Sequence, residues 1–197
     1  MSRTIVSFLF RSVVARRLRT SALILGLLLP SSLLALPAAA VQLRGQTFFD
    51  YSPRLLKATT SVMTTRTWGA TYYFTLNVPQ NAGEPLQAIK IVPRRNADTV
   101  EFQPSESLAF ACTRYARGPA LSLASIGGFE PSDTEEMTVV FDPPVQPGSI
   151  VTVALKPRRN PDLGGVYLFG VTAFPLGESS SGQFLGYGRF TFYDNGR

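Results

Sequence analysis

Ala70-Thr71-Tyr72-Tyr73-Phe74-Thr75-Leu76-Asn77-Val78 decides the fold class. Its apolar residues fall on every second position, with Ala70, Tyr72, Phe74, Leu76 and Val78 on one side and Thr71, Tyr73, Thr75 and Asn77 on the other. Successive side chains of an extended chain point to opposite faces. A period of two built from aromatic and β-branched residues is therefore a strand with one face in a core. Pro79 ends the strand, and Asn81-Ala82-Gly83-Glu84-Pro85 supplies a loop.

The same signature recurs on both sides of this segment. Residues 86–92 read as the next strand, ended by Pro93, and residues 99–103 as a short one with Val100 and Phe102 on one side. Residues 105–110 fit either one helical turn after Pro104 or a strand that begins at Leu108. Residues 121–126 form a strand after the Arg117-Gly118-Pro119 turn, and residues 137–141 form another that Asp142-Pro143-Pro144 stops. Pro147-Gly148 is a tight-turn pair, which places Phe141 and Ser149 at the two ends of one hairpin connection leading to a strand at 150–155. Residues 166–174 and 184–193 complete the series, with two earlier strands near 42–49 and 55–63. Roughly nine short strands at near-even spacing, with no amphipathic helix, predict an all-β fold: an antiparallel β-sandwich, immunoglobulin-like in the broad sense. Prolines at the strand ends also discourage edge-to-edge pairing between molecules.

The N-terminal residues follow a different plan. Arg3, Arg11, Arg16, Arg17 and Arg19 precede an apolar run from Ala22 to Leu36, and Ala38-Ala39-Ala40 follows it. A basic segment, an apolar segment and a small-residue site, in that order, predict a cleavable secretory signal peptide. The apolar run is shorter than the roughly 20 residues of a spanning helix, and it is broken by Pro30, Ser31 and Ser32. The expected organisation is a leader over residues 1–40 and one β-sandwich domain over residues 41–197. The leader makes a destination outside the cytoplasm the expectation. Membrane contact is expected only through the leader, where it stays uncleaved.

Setting the leader aside changes the charge. The chain has 19 Lys and Arg against 13 Asp and Glu, for a net +6, and the leader holds five of the arginines and no acid. The remaining 14 bases face 13 acids (19 − 5 = 14), so the domain is near neutral. A near-neutral domain gives no electrostatic footprint for nucleic acid.

Composition removes further chemistries. The chain has no histidine, which excludes Ser-His-Asp and Cys-His nucleophiles, imidazole metal sites and histidine general bases. Its single cysteine, Cys112, has no intrachain partner for a disulfide and sits in the apolar stretch Leu108-Ala109-Phe110-Ala111-Cys112, where it reads as a small buried hydrophobe. The acids Glu101, Glu106, Asp142 and Asp162 form no pair that stands out as a glycosidase couple. Asn160-x-Asp162-x-Gly164 lacks the further oxygen ligands of a calcium loop. No catalytic residue, metal or cofactor is expected.

Two loops carry adjacent arginines. Arg94-Arg95-Asn96 follows Pro93, and Pro157-Arg158-Arg159-Asn160-Pro161-Asp162 lies between two strands, with Arg114 and Arg117 as further bases. If these loops meet at one end of the sandwich, Arg94, Arg95, Arg158 and Arg159 form a site for carboxylate, phosphate or sulfated sugar. The alternative is ordinary loop charge paired with Asp98, Glu101 or Asp162. Trp68, the only tryptophan, reads as a core or rim anchor, with a sugar-stacking platform as the alternative. Residues 164–175 are apolar on both strand faces, which fits a strand buried on both sides or covered by a partner. Gly170 there marks a bulge or a close backbone approach.

Trp68-Gly-Ala-Thr-Tyr-Tyr-Phe74, Asn81-Ala-Gly-Glu-Pro-Leu86, Phe141-Asp-Pro-Pro-Val145, Arg159-Asn-Pro161 and Gly165-Val-Tyr-Leu-Phe-Gly-Val-Thr-Ala-Phe-Pro175 resemble a family of uncharacterised exported cyanobacterial proteins, a domain of unknown function. The resemblance spans most of residues 41–193. It implies a cyanobacterial source and export to the periplasm, cell surface or thylakoid lumen, and it brings no activity, cofactor or catalytic residue. The expected function is a non-enzymatic exported module that binds a protein or cell-envelope component, such as an envelope polysaccharide, through its arginine loops and a strand edge. The alternative is a carbohydrate-binding or carbohydrate-active domain using Trp68 and paired acids. A cleft holding Trp68 with two carboxylates would favour sugar, and a flat apolar patch or an open strand edge would favour a protein.

Overall fold

The computed structural model describes residues 42–43, 45–94, 96–111, 117–127 and 136–194, and all regular structure among them is strand. They lie within one unit, Pro37–Arg197. The leader, Arg95, Cys112 and Arg114 fall outside the described residues. The strands are β1 (Gln42–Leu43), β2 (Gln46–Thr47), β3 (Arg54–Thr60), β4 (Tyr72–Asn77), β5 (Leu86–Pro93), β6 (Phe102–Phe110), β7 (Ala120–Leu121), β8 (Leu123–Gly127), β9 (Met137–Val145), β10 (Ile150–Pro157), β11 (Gly165–Pro175) and β12 (Gln183–Phe192).

β1 and β2 pair as a small ribbon. The rest form two five-stranded antiparallel sheets, ordered β3-β4-β10-β6-β7 and β12-β11-β5-β9-β8. The chain crosses between the layers after β4, β5, β7, β9 and β10, so the fold is the expected antiparallel β-sandwich of immunoglobulin-like type. The alternation of the opening segment holds residue by residue: Ala70, Tyr72, Phe74, Leu76 and Val78 are all fully buried. Facing them from the second sheet are Ile89, Ile91, Tyr167, Phe169, Val171, Phe190 and Phe192. The Tyr72 ring stacks on Phe190 at 4.8 Å and meets Phe102 edge-on at 5.7 Å, while Phe169 lies within 5.8 Å of Phe102 and 5.4 Å of Phe190. Burying each of these large side chains contributes about 1.5–3 kcal/mol.

Five readings are resolved or corrected. Residues 105–110 belong to β6, because pairing with β10, and the Lys156 backbone N of β10 donating to the Ser107 hydroxyl (3.2 Å), draw them into the sheet. The strand expected at 121–126 is two strands in different layers: β7 pairs with β6, β8 pairs with β9, and the chain changes sheet at Ser122. β9 runs on past Asp142 to Val145. Its prolines sit where the register with β5 jumps between Leu86 and Ala88, so no ladder bond is asked of them. Phe141 and Ser149 do not close a hairpin, since β9 and β10 lie in opposite sheets. β11 packs into the core on one face only: Tyr167, Phe169, Val171 and Ala173 are buried, while on the other face Val166 is exposed and Leu168, Thr172 and Phe174 are half-buried.

The β3–β4, β5–β6 and β10–β11 loops gather at one end of the sandwich. Leu155 pairs with Tyr72, Pro157 with Phe102, and Gly165 with Phe192, which sets the starts of β4, β6 and β11 beside the ends of β10 and β12.

Candidate functional site

Asn160 organises this end. Its side chain is buried (1% exposed). Its Nδ2 donates to Val62 O at 3.0 Å and Thr64 O at 2.8 Å, and its Oδ1 accepts from the Tyr72 hydroxyl at 3.1 Å. Its backbone N donates to Thr67 O at 2.9 Å, and Arg66 N donates to Pro161 O at 3.0 Å. A single amide thus fastens the β10–β11 loop to the β3–β4 loop and both to the core. A second tyrosine acts from the other sheet: Tyr167 donates to Leu163 O at 2.8 Å. Burial, reinforced by each other's proximity, lifts the Tyr72 phenol far above its ordinary range. Burial lifts Tyr167 as well, with the charges of Asp98, Asp162 and Asp194 adding to it. Both hydroxyls therefore stay protonated and donate.

The β3–β4, β5–β6 and β10–β11 loops form a cleft of about 450 Å³ lined by Trp68, Asp98, Glu101, Arg158, Arg159 and Asp162, with Asn160 and Pro161 also in its wall. Trp68 is 66% exposed, so of its readings the core anchor falls and a position at the rim remains. Arg66 (φ 58°) and Gly69 (φ 76°), both in the left-handed region, bracket the turn that carries the indole outward. The Arg159 guanidinium lies 5.8 Å from the centre of the Trp68 ring, within cation–π range.

The charges in the cleft are matched. Arg159 Nη2 approaches Asp162 Oδ1 at 2.8 Å and Oδ2 at 2.9 Å, and Arg66 Nε lies 3.8 Å from Oδ1. Arg158 Nη1 lies 3.5 Å from Glu101 Oε2. Asp98 accepts from the backbone N of Thr99 (2.8 Å) and of Asp162 (2.7 Å), tying the β5–β6 loop to the β10–β11 loop. The arginine pair is thus held as loop charge matched by Glu101 and Asp162, and not as an open anion site. These pairs are half exposed, so each contributes at most about 1 kcal/mol.

Of the residues singled out from sequence, Trp68, Arg158 and Arg159 share the cleft. Arg94 does not: its guanidinium lies over the Tyr187 ring at 5.2 Å, on the outer face of the second sheet. Arg95 lies outside the described residues. Sequence reasoning missed Asn160 as the hub, and Arg66. The only trace of the former is an Asn-Pro pair directly after two arginines, which carries no record of partners at 62, 64 and 72. Among the described residues no group of three or more Cys, Asp or Glu side chains is arranged to hold a metal ion, and no helix is long and apolar enough to cross a membrane.

A family described as protein of unknown function (DUF2808) matches residues 46–192. The chain belongs to that family. The match starts with β2 and ends with β12, and so takes in every residue of the cleft. No curated protein matches the chain. Among solved structures, the chain is similar to the collagen-binding domain of a Staphylococcus aureus adhesin, at 9% identity over 68% of this chain and 98% of that one, with a TM-score of 0.36. It is similar to the C-terminal domain of the Streptococcus pyogenes antigen I/II-family protein AspA at 15% identity over 70% of this chain and 46% of that one, less than half its length, with a TM-score of 0.39. An uncharacterised Nocardia farcinica protein with an immunoglobulin-like fold aligns at 14% identity over 69% of this chain and 96% of that one, with a TM-score of 0.36.

Proposed function

We propose that this domain is an exported, non-enzymatic binding module whose cleft takes a neutral saccharide of the cell envelope. One observation carries the reading: an exposed indole stands in the same cleft as two guanidiniums already paired with Glu101 and Asp162 and a third carboxylate, Asp98, already bonded by two backbone amides. The apolar face of a sugar ring stacks on Trp68, while its hydroxyls donate to Glu101 and accept from Arg158 without breaking a charge pair. An anionic ligand would have to displace Glu101 or Asp162 from its arginine, so the matched charges speak for a neutral one.

Binding without turnover is supported by the state of the acids. A glycosidase needs one carboxylate free to attack or to activate water and another free to give a proton. Here Asp98 is taken up by two backbone amides and Asp162 by Arg159. Export rests on the basic, apolar and small-residue order of residues 1–40. The resemblance to exported cyanobacterial proteins supports the periplasm, cell surface or thylakoid lumen as the destination.

The test is titration of the full chain with neutral and with sulfated oligosaccharides, read through Trp68 emission. A neutral glycan is expected to shift that emission and shield it from iodide. Trp68→Ala should weaken the affinity, measured by calorimetry, by roughly tenfold or more, as loss of an aromatic anchor does. Preference for the sulfated glycan, or unchanged affinity in Trp68→Ala, would overturn the reading.

A further inference from the structure

The outer face of the β12-β11-β5-β9-β8 sheet combines exposed aromatic surface with unmatched positive charge. Cross-strand register sets two rows there: Val92, Gly170 and Tyr187, then Lys90, Thr172 and Phe184. A third row holds Leu168 opposite Arg189, with Arg94 just past β5 donating its backbone N to Leu168 O at 2.8 Å. Phe184 is 58% and Tyr187 47% exposed, and Val92 and Val166 are exposed beside them. Gly170 is the floor: a Cβ there would stand 3.2 Å from Phe184 Cε2 and 3.5 Å from Tyr187 Cε1. The two rings therefore lie close over the strand, edge to face, with centres 5.1 Å apart. Among the described residues no carboxylate pairs with Arg94 or Arg189, whereas Lys90 is paired with Glu136.

We propose that this face docks on an anionic lipid bilayer, with Phe184 and Tyr187 entering the headgroup layer and Arg94 and Arg189 meeting lipid phosphates. A sheet face is broad and open, as a bilayer surface is. Aromatic rings favour the membrane–water boundary, and guanidinium is weakly hydrated and matches phosphate geometry. A second copy of the chain fits poorly, because a two-fold contact would bring the same arginines together, while Glu136 on this face is already paired with Lys90. A soluble acidic glycan would engage the arginines and leave the apolar side chains in water. The proposal adds a membrane contact to the one expected through the leader, and it is independent of the cleft.

The test uses the full chain carrying Trp68→Phe and Phe184→Trp, so that the only indole sits on this face. With phosphatidylglycerol vesicles its emission is expected to move to shorter wavelength and to be quenched by brominated acyl chains, with little response to phosphatidylcholine alone. Adding Arg94→Gln and Arg189→Gln should weaken vesicle binding roughly tenfold or more, at about fivefold per guanidinium. Arg94→Lys with Arg189→Lys should retain most of it, which separates lost charge from lost fold. Vesicle sedimentation without quenching of the introduced indole would place the contact in the N-terminal segment and overturn the proposal. So would equal quenching on phosphatidylcholine, or an emission shift with dextran sulfate and none with lipid.

Discussion

Asn160 shows how much can rest on one amide. Replacing it with alanine removes two donated bonds and leaves the Tyr72 hydroxyl without its acceptor inside the protein. A stranded buried polar group costs about 1–3 kcal/mol beyond the bonds lost. Asn160→Ala should therefore lower the stability read from urea unfolding by roughly 3 kcal/mol. Tyr72→Phe, which removes one bond and keeps the ring, should cost about 1–2 kcal/mol. The raised tyrosines also set a pH dependence. Their folded pKa lies above the ordinary value of 10.0, so their contribution is complete below about pH 10 and is lost as the pH climbs towards the folded values. The urea midpoint should fall above pH 10, and less steeply in Tyr72→Phe than in the parent; equal slopes would show that Tyr72 is not the group responsible. Neither the hub nor this pH dependence is legible in the sequence, because both depend on contacts between residues 88 positions apart.

At the scale of strands, the glycines of β11 and β12 answer to different neighbours. A Cβ on Gly188 would stand 2.8 Å from Ala58 Cβ and 2.9 Å from Phe74 Cε1, where β12 closes against β3 and β4. Gly188→Ala should then destabilise by about 1–3 kcal/mol, as overpacking does. A Cβ on Gly170 meets the end of an exposed ring that can swing aside. Gly170→Ala should cost less than about 1 kcal/mol, both variants being read from urea unfolding; a larger loss than for Gly188→Ala would contradict this ranking. Alternation made the strands legible, and the buried face as well where one side is polar, as in β4; β11, apolar on both sides, gave its position and not its buried face. It could not assign strands to sheets: β7 and β8 are separated by Ser122 alone and lie in different layers. A period of two reports which way a side chain points and carries nothing about which strand lies alongside.

For the whole molecule, the sandwich is held by its core. With Cys112 the single cysteine, no intrachain disulfide is available, and the thermal midpoint of the monomer should be the same with and without reductant. A drop on reduction would reveal a cross-link between chains. The expected leader is checked by mass spectrometry of the exported protein, with Val41 as the predicted first residue. Of the cleft, the exposed tryptophan and the two arginines were legible as residue types at loop positions. Their convergence was not, since it is produced by three loops that meet only after the strands have paired.

The hydroxyls of Tyr72 and Tyr167 reach the β10–β11 loop from opposite layers of the sandwich. A segment pinned from both sides surrenders its freedom when the chain folds and has little left to lose when a ligand arrives. Capture of the proposed saccharide would then proceed on a surface already shaped, with little ordering penalty to subtract from the affinity. Amide hydrogen exchange of residues 158–163 should accordingly slow only modestly on saturation, the kinetic mark of a lock cut before its key.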